Sequence, residues 1–134
     1  MRKKEIEIRP GTGPTWHQFE EPSASILRTF NRPGEGPAKV TFRTHEVTAL
    51  CPLSGQPDFY TIEIVYVPDA LCVESKSAKF YLGSFRNVGA FAETIADTIL
   101  RDWVKACSPL EATVFATMVP RGGIAIAAER SYHA

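Results

Sequence analysis

The sequence predicts an α+β domain in which a four-stranded antiparallel sheet carries helices on one face. Two observations support this fold class. Alternating apolar residues mark four strands, and a helical repeat lies between the second and third of them, so the order is strand, strand, helix, helix, strand, strand. A length of 134 residues suits a single core. We expect an irregular N-terminal arm over residues 1–36 and one domain over residues 37–134.

Composition and charge exclude several classes of protein. Fifteen Lys and Arg residues balance fifteen Asp and Glu residues, whereas domains that hold nucleic acid through its phosphates are usually basic. No apolar run reaches the ~18–20 residues that a bilayer requires. The first nine residues alternate charge with Ile and lack the apolar stretch of a secretory signal. We therefore expect a cytoplasmic protein with no membrane partner and no direct nucleic-acid partner.

The first two strands should form a hairpin after a region poor in regular structure. Pro and Gly clusters at residues 10–14 and 32–37 stop helices and strands, and the apolar residues between them suit one short amphipathic piece that packs on the body or on a neighbouring subunit. Residues 39–50 and 59–67 are rich in residues that favour strands. The loop between them, residues 51–58, holds two prolines and a glycine. The inward face of the second strand is predicted to hold Tyr60, Ile62, Ile64 and Tyr66.

Two helices and a second hairpin complete the predicted sheet. Residues 74–82 suit a short helix, and a longer helix capped by Asn87 should run to Cys107, where Ser108 and Pro109 end it. Residues 111–119 and 124–128 are predicted strands around a tight turn at residues 120–123. Such a sheet has two open edges, so we expect it to form homo-oligomers.

Cys51 and Asp58 are the candidate catalytic pair. Cys51 opens the Pro/Gly loop, where a thiol can be partly exposed and act as a nucleophile; from position alone, a small buried apolar residue is the commoner case. If the flanking strands pair, the loop returns Asp58 towards Cys51 and places an acid beside the nucleophile. The alternative for Asp58 is a local turn hydrogen bond.

A second set of candidates surrounds the start of the first helix. Lys76 and Lys79 suit phosphate groups, and Glu74 and Ser75 suit the polar edge of a ring, although such clusters are also typical of a solvated helix face. Arg121, beside two glycines, can add a phosphate contact or be an exposed turn residue. The Cys and His residues lack the spacing of a zinc site, so we expect no metal.

Two long motifs resemble one enzyme family. Residues 50–59, Leu-Cys-Pro-Leu-Ser-Gly-Gln-Pro-Asp-Phe, are similar to the nucleophile loop of the NADPH-dependent 7-cyano-7-deazaguanine reductases, the nitrile reductases of queuosine biosynthesis. Residues 74–81, Glu-Ser-Lys-Ser-Ala-Lys-Phe-Tyr, resemble that family's signature. The Ser-Phe-Arg-Asn stretch at residues 84–87 and the Pro-Arg-Gly-Gly turn also stand where the family has them. The resemblance covers residues 38–128, in the one-domain form of the family.

The resemblance implies a tunnelling fold whose sheets join into a barrel, in a decamer of two pentamers with active sites between subunits. It implies that Cys51 adds to the nitrile carbon to give a thioimide, that Asp58 supplies a proton, and that two NADPH molecules deliver hydrides in turn. The product is 7-aminomethyl-7-deazaguanine. The implied substrate contacts are Glu74, Ser75, Phe91 and Glu93, and the implied NADPH contacts are Lys76, Lys79 and Arg121.

One residue departs from the family pattern. The family has a His-Glu pair where this sequence has Ala92-Glu93, and loss of one acid–base group typically costs ~10²–10⁴-fold in rate. An engineered alanine, a reductase that uses Asp58 alone, and a homologue that no longer reduces the nitrile all fit this change. The alternatives to a reductase are an amidinotransferase-like homologue and a non-reducing module that binds deazapurines. Cys72 or Cys107 is a candidate disulfide partner that would protect an exposed Cys51.

Overall fold

A four-stranded antiparallel sheet in the order β2-β3-β5-β6 forms the centre of the computed structural model, which describes residues 19–134. Its strands are β2 (Val40–Leu50), β3 (Pro57–Val67), β5 (Glu111–Arg121) and β6 (Ile124–His133). A smaller sheet pairs β1 (Thr29–Asn31) with β4 (Leu71–Val73). Helices α1 (Ser75–Gly83) and α2 (Ala92–Cys107) lie between β4 and β5 in sequence. The predicted α+β class and order of the main elements are confirmed.

The core lies between one face of the sheet and the helices. The four predicted inward residues of β3 are all buried, and so is the inner face of α2, which packs across β5 and β6. Trp103 of α2 joins the two layers through edge-on ring contacts with Phe42, Tyr66 and Tyr81, at centroid distances of 5.3, 6.0 and 6.4 Å. Aromatic edge contacts add to the free energy gained by burial, so this cluster fixes α2 on the sheet.

A β-bulge in β2 determines which residues face the core near the end of the strand. Thr44 pairs with Ile62 and Val47 with Tyr60, so His45 and Glu46 together lie opposite one residue of β3. The extra residue shifts the alternation, and Val47 and then Ala49 are buried. Cys51 lies two residues beyond Ala49, so the bulge brings the thiol to the core side of the sheet.

The second helix begins later than the sequence predicts. Asn87 does not cap it: residues Ser84–Asn87 form a 3₁₀ turn, and α2 begins at Ala92 after Phe91, which makes no side-chain cap bond. The backbone between them pairs with β2 instead, because the Leu50 N–H donates to the Val88 carbonyl and the Ala90 N–H donates to the Leu50 carbonyl, both near 3 Å. This bridge brings the start of α2 beside the Cys51 loop.

Other element boundaries also move. The last strand extends to His133, whereas the sequence predicts its end near residue 128. Its residues are mostly exposed, but their pairing with β5 continues to His133. The left-handed Ser108 ends α2 as predicted. No helix in residues 19–134 is long and apolar enough to cross a membrane.

The described part of the N-terminal arm packs against the first helix. Ile26, the last residue of a 3₁₀ turn, and Leu27 after it are buried, whereas Phe30 is half exposed. The Arg28 N–H donates to the Ser77 hydroxyl at 2.9 Å. The domain boundary at residue 36 stays a prediction, and the Pro/Gly cluster at residues 10–14 lies outside the described residues.

Candidate active site

The loop between β2 and β3 holds Cys51 in a tight backbone frame. The Cys51 N–H donates to the Gln56 carbonyl and the Gly55 N–H donates to the Cys51 carbonyl, both at 2.8 Å. Gly55 has φ of +70°, a conformation that residues with a Cβ rarely adopt, and so closes the loop. Cys51 is partly exposed, as a nucleophile must be.

Hydrogen bonds around this loop lower the pKa of Cys51 from 9.0 to about 7. The Ser54 hydroxyl makes the largest contribution, followed by the backbone N–H groups of Ser54 and Leu53, and the Arg121 side chain adds to them. Donors aimed at sulfur stabilise the thiolate more than the thiol. Near neutral pH a large share of Cys51 is therefore ionised, which makes it a ready nucleophile.

Asp58 and Arg121 form a partly buried ion pair next to this thiol. Asp58 pairs with Ala49 across the hairpin, two residues from Cys51, and its side chain faces inward with the residue only 4% exposed. Arg121 ends β5, and its Nη1 lies 3.1 Å from Asp58 Oδ1 without hydrogen-bond alignment. Arg121 also helps to lower the pKa of Cys51, so it lies near both the nucleophile and the acid. The hairpin thus brings Asp58 back towards Cys51, as the sequence analysis expects.

The same place holds an unexpected polar atom, the Tyr60 hydroxyl. Tyr60 is 1% exposed and its hydroxyl has no hydrogen-bond partner in the described structure. Burial, followed by the negative charges of Asp58 and Glu93, raises the pKa of Tyr60 to about 12. Sequence reasoning assigned Tyr60 only to the core; the available signal was its position two residues after Asp58 on the same face.

The start of α2 borders this cluster. Glu93, in the first turn, is close enough for its charge to act on the Tyr60 hydroxyl. Phe91 is 49% exposed, so its ring is open to a flat ligand. Ala92 between them is buried at 3%. The structure therefore groups Cys51, Asp58, Glu93 and Arg121 as one site, with Phe91 at the same helix start.

The remaining candidates surround the start of α1. The Glu74 carboxylate caps this helix by accepting from the Lys76 N–H at 2.6 Å and the Ser77 N–H at 2.8 Å, which lowers the pKa of Glu74. Ser75 and Lys79 line a groove against β2 and β3, whereas Lys76 lies with Glu74 on another side of the helix. In residues 19–134 of one chain, no hydrogen bond or ion pair joins this group to Cys51 or Asp58.

Cys72 and Cys107 lie apart from the thiol of the site. Both are buried and free, and burial followed by the proximity of Cys72 raises the pKa of Cys107 to about 12. They neighbour each other, and no disulfide joins either to Cys51 within residues 19–134 of one chain, so that pairing stays a hypothesis. Among the described residues no group of three or more His, Cys, Asp or Glu side chains could hold a metal ion.

Three curated relatives of this chain share the same name. The NADPH-dependent 7-cyano-7-deazaguanine reductase of Streptococcus thermophilus is 45% identical over 117 residues, which cover 87% of this chain and 71% of the relative. The protein of the same name from Parabacteroides distasonis is 42% identical over 126 residues, 93% of this chain and 80% of the relative. The protein of the same name from Syntrophus aciditrophicus is 48% identical over 107 residues, which cover 79% of this chain and 76% of the relative.

A solved structure and a family model agree with these relatives. The crystal structure of the archaeosine synthase QueF-Like in the apo form superposes with a TM-score of 0.64, covering 74% of this chain and 95% of that one at 17% identity, and this likeness confirms the expected tunnelling fold. The family model described as QueF-like protein matches residues 57–134. The chain therefore belongs to the QueF-like family, among the NADPH-dependent 7-cyano-7-deazaguanine reductases.

Proposed function

We propose that this protein reduces the nitrile of 7-cyano-7-deazaguanine to the aminomethyl group with NADPH, in the cytoplasm and for queuosine in transfer RNA. One observation carries the proposal. Cys51, whose pKa is lowered to about 7, lies beside the Asp58–Arg121 pair in a chain whose relatives are named as reductases of this nitrile. A thiolate with an acid at its side can capture a nitrile covalently.

The capture step balances within these residues. The Cys51 thiolate forms a C–S bond to the nitrile carbon, and one π bond of the nitrile breaks as its electron pair moves to nitrogen. The thiol proton reaches that nitrogen by way of the Asp58 carboxylate, which gives a neutral thioimide. Arg121 stays near both groups and stabilises the negative charge as it moves from sulfur to nitrogen and carboxylate.

NADPH supplies the two hydrides that take the thioimide to the amine and release Cys51. The exposed Lys76 and Lys79 suit its phosphates, because no ion pair occupies either ammonium within residues 19–134. Arg121 is the remaining candidate for a phosphate contact, although its guanidinium already forms an ion pair with Asp58. Covalent capture holds the carbon in place for the first hydride; loss of the Cys51 thiolate then breaks the C–S bond and leaves an imine that accepts the second hydride.

For the deazapurine we propose that Phe91 stacks on the ring and that Glu93 binds its polar edge, together with Glu74 and Ser75. The cap bonds of Glu74 place one donor on each carboxylate oxygen and leave other lone pairs for a ligand. Since no bond joins Glu74 or Ser75 to Cys51 within residues 19–134 of one chain, we propose that a neighbouring subunit supplies them.

The surface near the site supports such an assembly. Among the described residues, β2 and β6 are the unpaired edges of the sheet, and Ile124 at the start of β6 is 65% exposed. Large apolar side chains are exposed on the Cys51 loop and nearby strand ends: Leu53, Phe59 and Val119. Open edges and exposed apolar residues favour pairing with another chain, and the family resemblance gives a decamer of two pentamers.

The test is intact-mass spectrometry of the protein incubated with 7-cyano-7-deazaguanine but without NADPH, followed by peptide mapping. We expect one adduct, on Cys51; the Cys51→Ser variant should show none, and the control Cys72→Ser should keep it. Added NADPH should then be oxidised at two equivalents per nitrile.

Three other results would contradict the proposal. An adduct that reacts with ammonia and not with NADPH would indicate an amidinotransferase-like protein. Binding without an adduct would indicate a deazapurine-binding module, and no binding would exclude this ligand.

A further inference from the structure

Four buried side-chain polar atoms of the described structure have no hydrogen-bond partner, and three of them belong to one site. They are Asp58 Oδ1, Tyr60 Oη and Arg121 Nη1; the fourth is on Trp103 in the core. Asp58 and Arg121 at least form an ion pair with each other, whereas the Tyr60 hydroxyl has no partner of either kind. Burying a hydroxyl without a partner costs free energy, so a ligand that accepts from it is expected.

The position of Tyr60 places this hydroxyl at the reacting groups. Tyr60 follows Asp58 by two residues on β3 and faces the core with it, between Val47 of β2 and Met118 of β5. Its hydroxyl responds to the charges of Asp58 and Cys51 at the strand ends, and to that of Glu93 at the start of α2.

Tyr66 shows what an ordinary core tyrosine of this strand does. It lies on the same face of β3 and is equally buried, but its hydroxyl accepts from the Val73 N–H at 2.9 Å. The hydroxyls of the two tyrosines therefore differ: that of Tyr66 has an internal partner and that of Tyr60 has none among the described residues.

We propose that the Tyr60 hydroxyl is a catalytic hydrogen-bond donor, which binds the nitrile nitrogen of the substrate while Cys51 adds to the carbon. This inference rests on the proposed function and adds a residue to its site. Tyr60 keeps its proton throughout, since a group with a pKa of about 12 is protonated at neutral pH; the proton that nitrogen gains still comes from the Cys51 thiol. The hydroxyl stabilises the charge that develops on nitrogen, as a donor in an oxyanion hole does.

The experiment compares Tyr60→Phe with Tyr66→Phe in the full chain. The rate constant for Cys51 adduct formation at saturating 7-cyano-7-deazaguanine should fall about 10²-fold in Tyr60→Phe and stay unchanged in Tyr66→Phe. The melting temperature should fall in the other variant. Tyr60→Phe loses a polar group that has no partner and should melt no lower than the wild type. Tyr66→Phe leaves the buried Val73 N–H without its acceptor and should melt at a lower temperature. Alkylation of Cys51 by iodoacetamide should be the same in both variants, because neither tyrosine contributes to activating the thiol.

Each contrary result has a definite meaning. An unchanged adduct rate in Tyr60→Phe would overturn the inference and leave the proposed function intact. Tyr60→Phe could also slow both adduct formation and alkylation to the same extent, or melt at a temperature as low as that of Tyr66→Phe. Either result would show that Tyr60 acts indirectly and would overturn the inference. A wild-type protein that forms no adduct would overturn the proposed function, and this inference with it.

Discussion

Replacing Ser54 by alanine should make the Cys51 thiol harder to ionise. The Ser54 hydroxyl is the largest of the hydrogen-bonding contributions that lower the pKa of Cys51 from 9.0 to about 7. The backbone N–H groups of Ser54 and Leu53 and the Arg121 side chain remain in Ser54→Ala. The pKa of Cys51 in the variant should therefore rise from about 7 and stay below 9.0.

The size of the effect follows from the fraction of thiolate. With a pKa of about 7, about half of Cys51 is ionised at pH 7, whereas a thiol at 9.0 would be about 1% ionised, roughly a 50-fold difference. Since Ser54 supplies only part of this difference, alkylation at pH 7 should fall by roughly 3- to 20-fold. The thiolate dominates above its pKa, so the loss should shrink as the pH rises. At high pH the more basic thiolate of the variant should react slightly faster than that of the wild type.

The assay is the rate of iodoacetamide alkylation between pH 5.5 and about 10, read for each cysteine by peptide mapping. Cys107 serves as an internal control because its pKa of about 12 keeps it unreactive while the chain is folded. Ser131→Ala is a matched variant, since Ser131 is an exposed serine of β6 whose hydroxyl bonds the Thr113 hydroxyl of β5. A midpoint that stays near 7 in Ser54→Ala, or that moves equally in Ser131→Ala, would refute the reasoning.

Three further predictions concern the ion pair, the helix cap and the sheet edge. Arg121→Met should lower the free energy of unfolding in urea by about 2 kcal/mol, because it leaves the buried Asp58 carboxylate without a countercharge, and adding Asp58→Asn should recover most of that loss. The control Arg43→Met breaks an exposed ion pair and should cost less than about 0.5 kcal/mol. Equal losses in the two variants would refute this prediction. Glu74→Ala should cost about 1 kcal/mol at pH 7 through the lost cap. Since the pKa of Glu74 is lowered in the folded state, that cost should vanish in urea melts as the pH falls through it, and a pH-independent cost would refute the role of the charge. Ile124→Asp should lower the mass found by sedimentation velocity if β6 pairs with another chain, and an unchanged mass would exclude that edge.

The elements that follow from local sequence were predictable. The alternation in residues 59–67 gave the correct inner face of β3, and Ser108 gave the end of α2. The late start of α2 was not predictable, since Asn87 is a good cap locally and only the tertiary bridge to Leu50 keeps residues 88–90 extended. The bulge at residues 45 and 46 was missed because two polar residues in a row do not reveal a change of face.

The site residues, too, were predictable where local sequence connects them and were missed where tertiary contacts bring them together. Cys51 and Asp58 were found because one short hairpin connects them. Arg121 was identified as a candidate, but its contact with Asp58 depends on pairing between β3 and β5, more than 60 residues apart in sequence, and the sequence analysis assigned it to phosphate instead. Tyr60 and Tyr66 are the same residue type in the same pattern, so only the partner of each hydroxyl in the folded chain separates a core residue from a site residue.

The departure at Ala92 yields a last prediction. Ala92 is buried at the first position of α2, and the next residue, Glu93, acts through its charge on the Tyr60 hydroxyl. The family resemblance implies an imidazole at position 92. If Tyr60 supplies the donor that Ala92 lacks, Ala92→His should change the adduct rate little in the wild type. Added to Tyr60→Phe, which lowers the adduct rate roughly 10²-fold, Ala92→His should raise that rate again by about tenfold or more. Equal effects of Ala92→His in both backgrounds would mean that the two positions act independently, and Tyr60 would then not compensate for the missing histidine.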